Sequence, residues 1–315
     1  MALVSSKQIL INAMNGKYGV GAYNVNNMEQ LQAIVNAAKK TQSPLILQAT
    51  MSALKYSEFS YLACLMKNAA LKNYDIPIAI HLDHGNSFES IKNAIDIGFT
   101  SVMIDGSLID GKTPSTYEQN VRITSSVVEY AHKRGISVEG EIGVIGGVED
   151  SVKPTSFYFT DPEEAKNFVN DTNVDSLAIS IGTSHGAYKF KRNVSLAFDI
   201  LKEIRSLINI PIVLHGASSI PKSLIYDFVK YGGKIKSGAS GVPIGDLQKA
   251  ISLGVSKINI DSDIRLVVTT AIRKFFIDHP EKFNPRDYFE YSKTVLVDFI
   301  VSKMKDFFTI GHAKD

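Results

Sequence analysis

Eight short runs of strand-forming residues alternate with amphipathic helical patterns along this 315-residue chain, and the alternation limits the folds it can adopt. Repeated strand–helix units predict a parallel sheet covered by helices. Eight units favour a (β/α)8 barrel, the TIM-barrel architecture, over a doubly wound sheet. No Gly-x-Gly-x-x-Gly turn follows the first run, which argues against dinucleotide binding. The predicted strands are residues 19–24, 44–50, 76–84, 101–105, 137–141, 176–182, 210–215 and 255–261.

Helical patterns fill the intervals between these strands. We expect one α/β barrel domain over residues 1–315, with additional C-terminal helices at about 280–310, where residues 291–308 have a helical pattern outside the barrel count. The predicted barrel helices are residues 27–40, 58–73, 87–98, 120–134, 161–171, 195–208, 221–232 and 263–276.

The composition argues against several classes of protein. A net charge of +2 without a dense basic run disfavours nucleic-acid binding. No apolar run approaches the roughly 18 residues of a membrane span, and the first residues lack the pattern of a secretory signal. The single cysteine, Cys64, excludes an internal disulfide framework, and its apolar helical surroundings predict a buried thiol. We therefore expect a cytoplasmic protein without nucleic-acid or membrane partners.

Polar side chains collect where the predicted strands end. In a (β/α)8 barrel these carboxyl ends line the catalytic face. Earlier inward positions, such as Ala79, Met103 and Val213, are small or apolar, so the barrel is expected to be filled below and functional above. The residues at the strand ends are Asn24, Thr50, Asp83, His84, Asp105, Glu141, His185, His215, Asn259 and Asp261.

Three of these residues are histidines that follow three different strands. If the barrel forms, His84, His185 and His215 can converge on one metal ion. Three protein ligands with one open position are the arrangement of a catalytic zinc site. His81 lies two residues before Asp83 on the same face of its strand, so we expect it to pack in the barrel interior.

Three segments are candidates for binding phosphate. Residues 215–219 follow the seventh strand, and residues 259–262 end the eighth strand and open a helix whose free N–H groups attract anions. Gly186 and Lys189 follow the sixth strand. Because loops after strands seven and eight are the usual phosphate position in this fold, the segments together favour a phosphorylated substrate.

Two connections are longer than packing requires. Residues 144–160 contain Gly146, Gly147 and Glu149, and their length and composition predict a mobile lid. Residues 232–243 are rich in glycine and are a second candidate for a flexible segment.

Eight motifs follow one another between residue 19 and about residue 290: GAYNVNN, IHLDHG, SVMIDGS, VEGEIGVIGG, IGTSHGAYKF, VLHGASS, GVPI and KINIDSDIRL. With these motifs the chain resembles the class II, metal-dependent fructose-1,6-bisphosphate aldolases. The resemblance implies a glycolytic and gluconeogenic lyase that reversibly cleaves fructose 1,6-bisphosphate to dihydroxyacetone phosphate and glyceraldehyde 3-phosphate. PEKFNPRDYF resembles this branch more than tagatose-1,6-bisphosphate aldolase, which is the alternative.

The resemblance also implies cofactors and assembly. One catalytic Zn²⁺ per subunit would stabilise the enediolate, and a monovalent cation, Na⁺ or K⁺, could accompany it. The subunits would form a homodimer or homotetramer.

Catalytic roles follow from the resemblance position by position. His84, His185 and His215 would hold zinc. Asp83 would exchange a proton with the C4 hydroxyl of the substrate. Glu149, on the predicted lid, would move the proton at the dihydroxyacetone phosphate carbon. Aldol cleavage needs this division, because one acid–base group must serve oxygen and another must serve carbon.

Substrate contacts are implied in the same way. Asn259 would contact the enediolate, Asp261 would read hydroxyl stereochemistry, and Arg265 would bind the far phosphate, reaching the site of a neighbouring subunit. Asp105 and Glu141 match positions that lie behind the zinc ligands or form an alternative metal site. The remaining substrate-binding positions are Asn24, Thr50, Gly186, Lys189, Gly216, Ser218 and Ser262.

The chain departs from the family pattern at two places. Val148 stands where some relatives carry another acid beside Glu149. Thr50 and Met51 stand where a serine is frequent.

Two alternatives come from other mechanisms or classes. A Schiff-base aldolase needs a lysine inside the barrel, and Lys257 shares a strand face with Asn259 and Asp261. Lys257 lies deeper than those residues, however, and the three histidines would then have no role. A non-catalytic barrel that binds sugar phosphates would have no reason to keep both Asp83 and Glu149.

Overall fold

The computed structural model describes residues 3–73, 75–109, 112–147, 156–185, 196–235 and 241–315. Eight parallel strands close into a barrel in which each strand lies beside its neighbours in sequence, and the last pairs with the first. The prediction of a TIM barrel is confirmed, and each predicted strand overlaps one of these. The strands are β1 (Val20–Asn24), β2 (Leu45–Thr50), β3 (Ile78–Gly85), β4 (Ser101–Ile104), β5 (Ser137–Ile142), β6 (Ser176–Ile179), β7 (Ile212–Leu214) and β8 (Val255–Ile260).

Helices surround this barrel. Among the described residues they are α1 (Ser6–Gly16), α2 (Met28–Thr41), α3 (Met51–Tyr56), α4 (Ser60–Lys72), α5 (Phe88–Asp96), α6 (Tyr117–His132), α7 (Pro162–Thr172), α8 (Phe198–Leu207), α9 (Lys222–Lys230), α10 (Ile244–Ser252), α11 (Ser262–Asp278) and α12 (Pro285–Asp306). Each predicted barrel helix overlaps one of them. The helices α1, α3 and α10 lie outside the predicted set. Thr50 caps α3 through its side chain, so a short helix starts directly after β2.

Alternation along the strands produces two buried layers. On β3, Ile80 and Leu82 pack outward against the helices, whereas Ala79 and His81 face the interior. Helix α1 covers the amino end of the barrel, where Leu10 packs with Ala79. The barrel is therefore closed at one end, and its polar strand ends open at the other.

Helix α12 lies outside the barrel and packs against α2 and α11. It begins at Pro285, earlier than the predicted residue 291, because Asn284 accepts a hydrogen bond from the backbone N–H of Arg286 and proline suits the first helical position. After the helix, the Thr309 hydroxyl donates to the carbonyl of Gly19 at 2.6 Å. The C-terminal segment is thus tied to the start of β1.

The prediction for Cys64 is wrong. The thiol is exposed, because α4 turns Leu62, Ala63 and Met66 toward the core and Cys64 toward solvent. Among the helices of the described residues, none combines the length and the apolar character needed to cross a bilayer.

Candidate active site

The backbone at the end of β3 places two neighbouring side chains in the same site. Strict alternation would turn Asp83 and His84 to opposite faces. The pairing of β3 with β4 shifts register between Leu82 and Gly85, and His84 adopts a left-handed φ of 51°. Such an irregularity redirects side chains. Asp83 and His84 can therefore both reach the site at this end of the barrel.

The three candidate zinc ligands do meet there. His84, His185 and His215 are all buried, and one ligand atom of each lies within 4.8 Å of the others. The ring centroid of His84 lies 5.0 Å from that of His185 and 4.7 Å from that of His215. The structure therefore brings together the histidines that the sequence singled out.

Hydrogen bonds on the far side of two rings determine which nitrogens face the centre. Nδ1 of His84 lies 3.4 Å from Oδ2 of Asp105, and Nε2 of His215 lies 2.7 Å from Oε1 of Glu139. The remaining nitrogens, Nε2 of His84 and Nδ1 of His215, face each other at 3.0 Å. Two nitrogens on one tetrahedral zinc are about 3.3 Å apart. The donor set therefore fits a zinc ion, with a carboxylate orienting the rings of His84 and His215.

Burial and neighbouring charges shift the pKa values of His84 and His215 in opposite directions. Burial opposes the charged form of His84, but Asp83 and the hydrogen bond to Asp105 outweigh it and raise the pKa of His84 well above its ordinary value. Burial, with His84 and Lys257, lowers the pKa of His215.

Asp105 and Glu141 form a second group with His84. One ligand atom from each of the three residues also lies within 4.8 Å of the others. The Ser107 hydroxyl donates to Oδ1 of Asp105 at 2.7 Å, while the buried Oε2 of Glu141 has no hydrogen-bond partner among the described residues. Burial and then Asp105 raise the pKa of Glu141. A buried carboxylate oxygen without a hydrogen-bond partner among the described residues is suited to a cation. His84, Asp105 and Glu141 therefore fit an alternative metal position.

Glu139 is a site residue that the sequence reasoning missed. Its side chain is 1% exposed and bonds Nε2 of His215 through one oxygen and Nζ of Lys257, at 2.8 Å, through the other. His81 lies beside them, with Nε2 3.4 Å from Nζ of Lys257, and it packs in the interior as expected. The signal that could have found Glu139 is its place two residues before Glu141 on an inward strand face.

Three amides hold the carboxylate of Asp83, which is fully buried. Asn259 donates to Oδ1 at 3.0 Å, and Asn24 and Gln48 each donate to Oδ2 at 3.2 Å. Asn24 also accepts from Gln48 at 2.6 Å. Asp83 is therefore fixed beside the histidines, and Gln48 is a second residue that the sequence reasoning missed.

The candidate phosphate segments after β7 and β8 approach the same centre. Gly216 has a φ of 57°, and a Cβ there would lie 2.5 Å from the backbone of Ser184, so only glycine lets this loop pass so closely. Ser218 is buried two residues further along the loop. Ser262 opens α11, and the first N–H groups of a helix attract anions.

The end of β8 and the start of α11 place the other predicted contacts. Nδ2 of Asn259 lies 3.3 Å from Nδ1 of His215, and its buried Oδ1 has no hydrogen-bond partner among the described residues. Oδ1 of Asp261 accepts from Nε of Arg265 at 2.8 Å, one helical turn away. Thr50 pairs with Asp83 across β2 and β3, and its oxygen accepts from the N–H of Ala53.

Other predicted site residues lie outside the described part of the chain. These are Glu149, Gly186 and Lys189. Of the predicted lid, Gly146–Gly147 pairs in parallel with Ser184–His185, so the start of the lid contacts one candidate zinc ligand.

Three comparisons with known proteins show what this chain is similar to. The family model described as "Fructose-bisphosphate aldolase class-II" matches residues 4–312. A fructose-bisphosphate aldolase of Giardia intestinalis is 51% identical, with 100% of this chain and 96% of the relative covered. A fructose-bisphosphate aldolase of Pseudomonas aeruginosa is 44% identical, with 99% and 93% covered. The crystal structure of the YdjI aldolase from Escherichia coli K12 superposes with a TM-score of 0.80 at 28% identity, covering 99% of this chain and 100% of that one.

Proposed function

This chain belongs to the class II fructose-bisphosphate aldolase family, and is therefore a carbon–carbon lyase; we propose that its buried residues divide the reversible cleavage of fructose 1,6-bisphosphate as follows. The products are dihydroxyacetone phosphate and glyceraldehyde 3-phosphate. The observation that supports this division best is the convergence of three histidines beside a fixed carboxylate.

His84, His185 and His215 hold the metal in this proposal. A zinc ion held by these residues would supply Lewis-acid chemistry at the ketone oxygen of the substrate. Glu139 and Asp105 orient the two rings that they contact, and Asp105 with Glu141 offers an alternative metal position. We also propose that a monovalent cation, Na⁺ or K⁺, accompanies the zinc ion, as the resemblance implies.

Asp83 acts on the hydroxyl oxygen at C4, next to the C3–C4 bond that breaks. Its carboxylate accepts the proton of the C4 hydroxyl, the C3–C4 bond breaks, and C4 leaves as an aldehyde. The electron pair of that bond stays on C3, next to the carbonyl. Three amide donors hold Asp83 in one orientation, so the carboxylate does not have to reorganise before it accepts the proton.

The proton at carbon requires a second group. We assign it to Glu149, which protonates C3 in the cleavage direction and removes that proton in the condensation direction. A glutamate on a closing loop would bring this group to the substrate after it binds and exclude water from the carbanion.

Phosphate and hydroxyl recognition fall to the neighbouring loops. Gly216, Ser218 and Ser262 bind the phosphate of the dihydroxyacetone portion, assisted by Gly186 and Lys189. Asn24, Asn259 and Asp261 face the hydroxyl-bearing carbons, with Thr50 beside them. Arg265 binds the second phosphate and reaches a neighbouring subunit, so we propose a homodimer or homotetramer in the cytoplasm.

Turnover assays and borohydride trapping test this function. Fructose and tagatose 1,6-bisphosphate are compared as substrates, before and after dialysis against a chelator and after zinc is restored. We expect fructose 1,6-bisphosphate turnover that the chelator abolishes and zinc restores. Borohydride trapping of substrate on Lys257, or turnover that survives the chelator, would contradict the proposal; faster cleavage of tagatose 1,6-bisphosphate would contradict the substrate assignment.

A further inference from the structure

A buried ion pair between α12 and α11 contacts the loop that we propose binds phosphate. Lys303 of α12 has a side chain that is only 3% exposed, and the side chain of Asp263 in the first turn of α11 is fully buried. Nζ of Lys303 lies 3.4 Å from Oδ2 of Asp263. Burying two charges is costly unless they are paired and hydrogen-bonded. Packing alone therefore does not explain why two charged side chains lie here.

Both charged groups bond to the same residue of the loop after β7. The backbone N–H of Ser219 donates to Oδ2 of Asp263 at 3.0 Å, and Nζ of Lys303 donates to the carbonyl of Ser219 at 2.6 Å. Ser219 directly follows Ser218. At the other end of the loop, Glu139 fixes His215 at 2.7 Å. Asp263, Lys303 and Glu139 thus anchor the loop at both ends. Of these three residues, Lys303 lies on α12.

The position of Asp263 gives the lysine an electrostatic role as well. Asp263 follows Ser262, at the helix N-terminus where an anion is expected to bind. Without a positive partner, the Asp263 carboxylate would repel the phosphate of the substrate, because charges are poorly screened in a buried site. The ammonium of Lys303 neutralises it, and the Phe299 ring, with its centroid 5.1 Å from Nζ, lies against the lysine from the preceding helical turn.

We propose that Lys303 is a positioning residue for phosphate binding: it holds the carbonyl of Ser219, the residue after Ser218, in place and neutralises the charge of Asp263 beside the phosphate. The inference rests on the proposed function only in placing a phosphate at Ser218. It also gives α12 a role in the site, although the helix lies outside the barrel.

The test compares three variants with the wild type. Lys303→Met removes the charge and the bond to Ser219, and Lys303→Arg keeps a cation. The double variant Asp263→Asn/Lys303→Met removes both charges, while the amide oxygen of the new side chain can still accept from the N–H of Ser219. Lys305→Met, an exposed lysine on the same helix, is the matched control. Each protein is measured for kcat, KM for fructose 1,6-bisphosphate, inorganic phosphate affinity by calorimetry, bound zinc and thermal midpoint.

We expect Lys303→Met to weaken phosphate affinity and raise KM by about tenfold, with kcat within about threefold of the wild type and zinc retained. Lys303→Arg should recover most of that loss. The double variant should bind phosphate better than Lys303→Met but less well than the wild type. Lys305→Met should match the wild type in all five measurements.

Several results would overturn the inference. Unchanged phosphate affinity in Lys303→Met would do so, as would a fall in kcat together with zinc loss. If Lys303→Met does not fold, the double variant decides: phosphate affinity equal to that of the wild type would show that the lysine has no positioning role. Calorimetric phosphate binding does not depend on turnover, so a wild type that binds phosphate but does not cleave fructose 1,6-bisphosphate would contradict the proposed function and leave this test intact.

Discussion

Replacing Asp83 tests how the site moves the hydroxyl proton. The Asp83 carboxylate is fully buried and accepts from Asn24, Gln48 and Asn259. Asp83→Ala removes the group that accepts the C4 hydroxyl proton, and Asp83→Asn removes its basicity while keeping its size. Neither variant removes any of the three histidines that we propose hold zinc.

The size of the expected effect follows from these contacts. Loss of a positioned general base costs roughly 10²–10⁴ in rate, or about 2.7–5.4 kcal/mol of transition-state stabilisation. Asp83→Ala also leaves three buried donors for water to satisfy, at roughly 1–3 kcal/mol of unfolding free energy. Asp83→Asn should lose a similar rate and less stability, because its amide oxygen still accepts from at least one of the three donors.

The assay is steady-state cleavage of fructose 1,6-bisphosphate, with bound zinc and urea unfolding measured on the same preparations. Asp96→Ala removes an exposed carboxylate at the end of α5 and is the control, with expected activity equal to the wild type. A kcat within about tenfold of the wild type in Asp83→Asn, with one zinc bound, would refute the proton-transfer role. A large rate loss that accompanies zinc loss would instead assign Asp83 to metal binding.

Three further predictions concern the metal and the fold. Glu139→Gln should weaken zinc binding by about 10–100-fold, measured by chelator competition, because it loosens the ring of His215; unchanged affinity would contradict this. Because the pKa of His84 is raised in the metal-free protein, zinc must displace a proton below that pKa, so zinc affinity should fall as pH falls. Calorimetry in two buffers of different ionisation enthalpy should then detect release of about one proton at pH 6.5, and none would contradict it. Thr116→Ala removes the capping box of α6 and should lower the unfolding free energy by about 1 kcal/mol without changing kcat; urea unfolding that is unaltered would refute the role of the cap.

The sequence predicted the barrel because each strand–helix unit carries its own local signals. Alternation on β3 gave the correct inward face for Ala79, His81 and Asp83. Local signals also explain the start of α7, where Asp161 accepts from the N–H of Glu164 and proline follows. The same rules could not predict the positive φ of His84, because a register shift depends on how β4 pairs with β3.

The missed features depend on contacts between distant residues. Glu139 looks like an ordinary strand residue until β5, β7 and β8 bring it between His215 and Lys257. Lys257 does point inward, as expected, but its ammonium is fully buried and paired with a carboxylate. Cys64 was placed in the core because its neighbours are apolar, and only the rotation of α4 against the barrel decides which of them is covered.

Zinc-edge anomalous scattering from crystals of the zinc-loaded protein tests the metal site most directly. The account predicts one strong peak within about 2.1 Å of a nitrogen of His84, His185 and His215. No peak among these rings, or a single peak bound by Asp105 and Glu141 without His185 and His215, would contradict it.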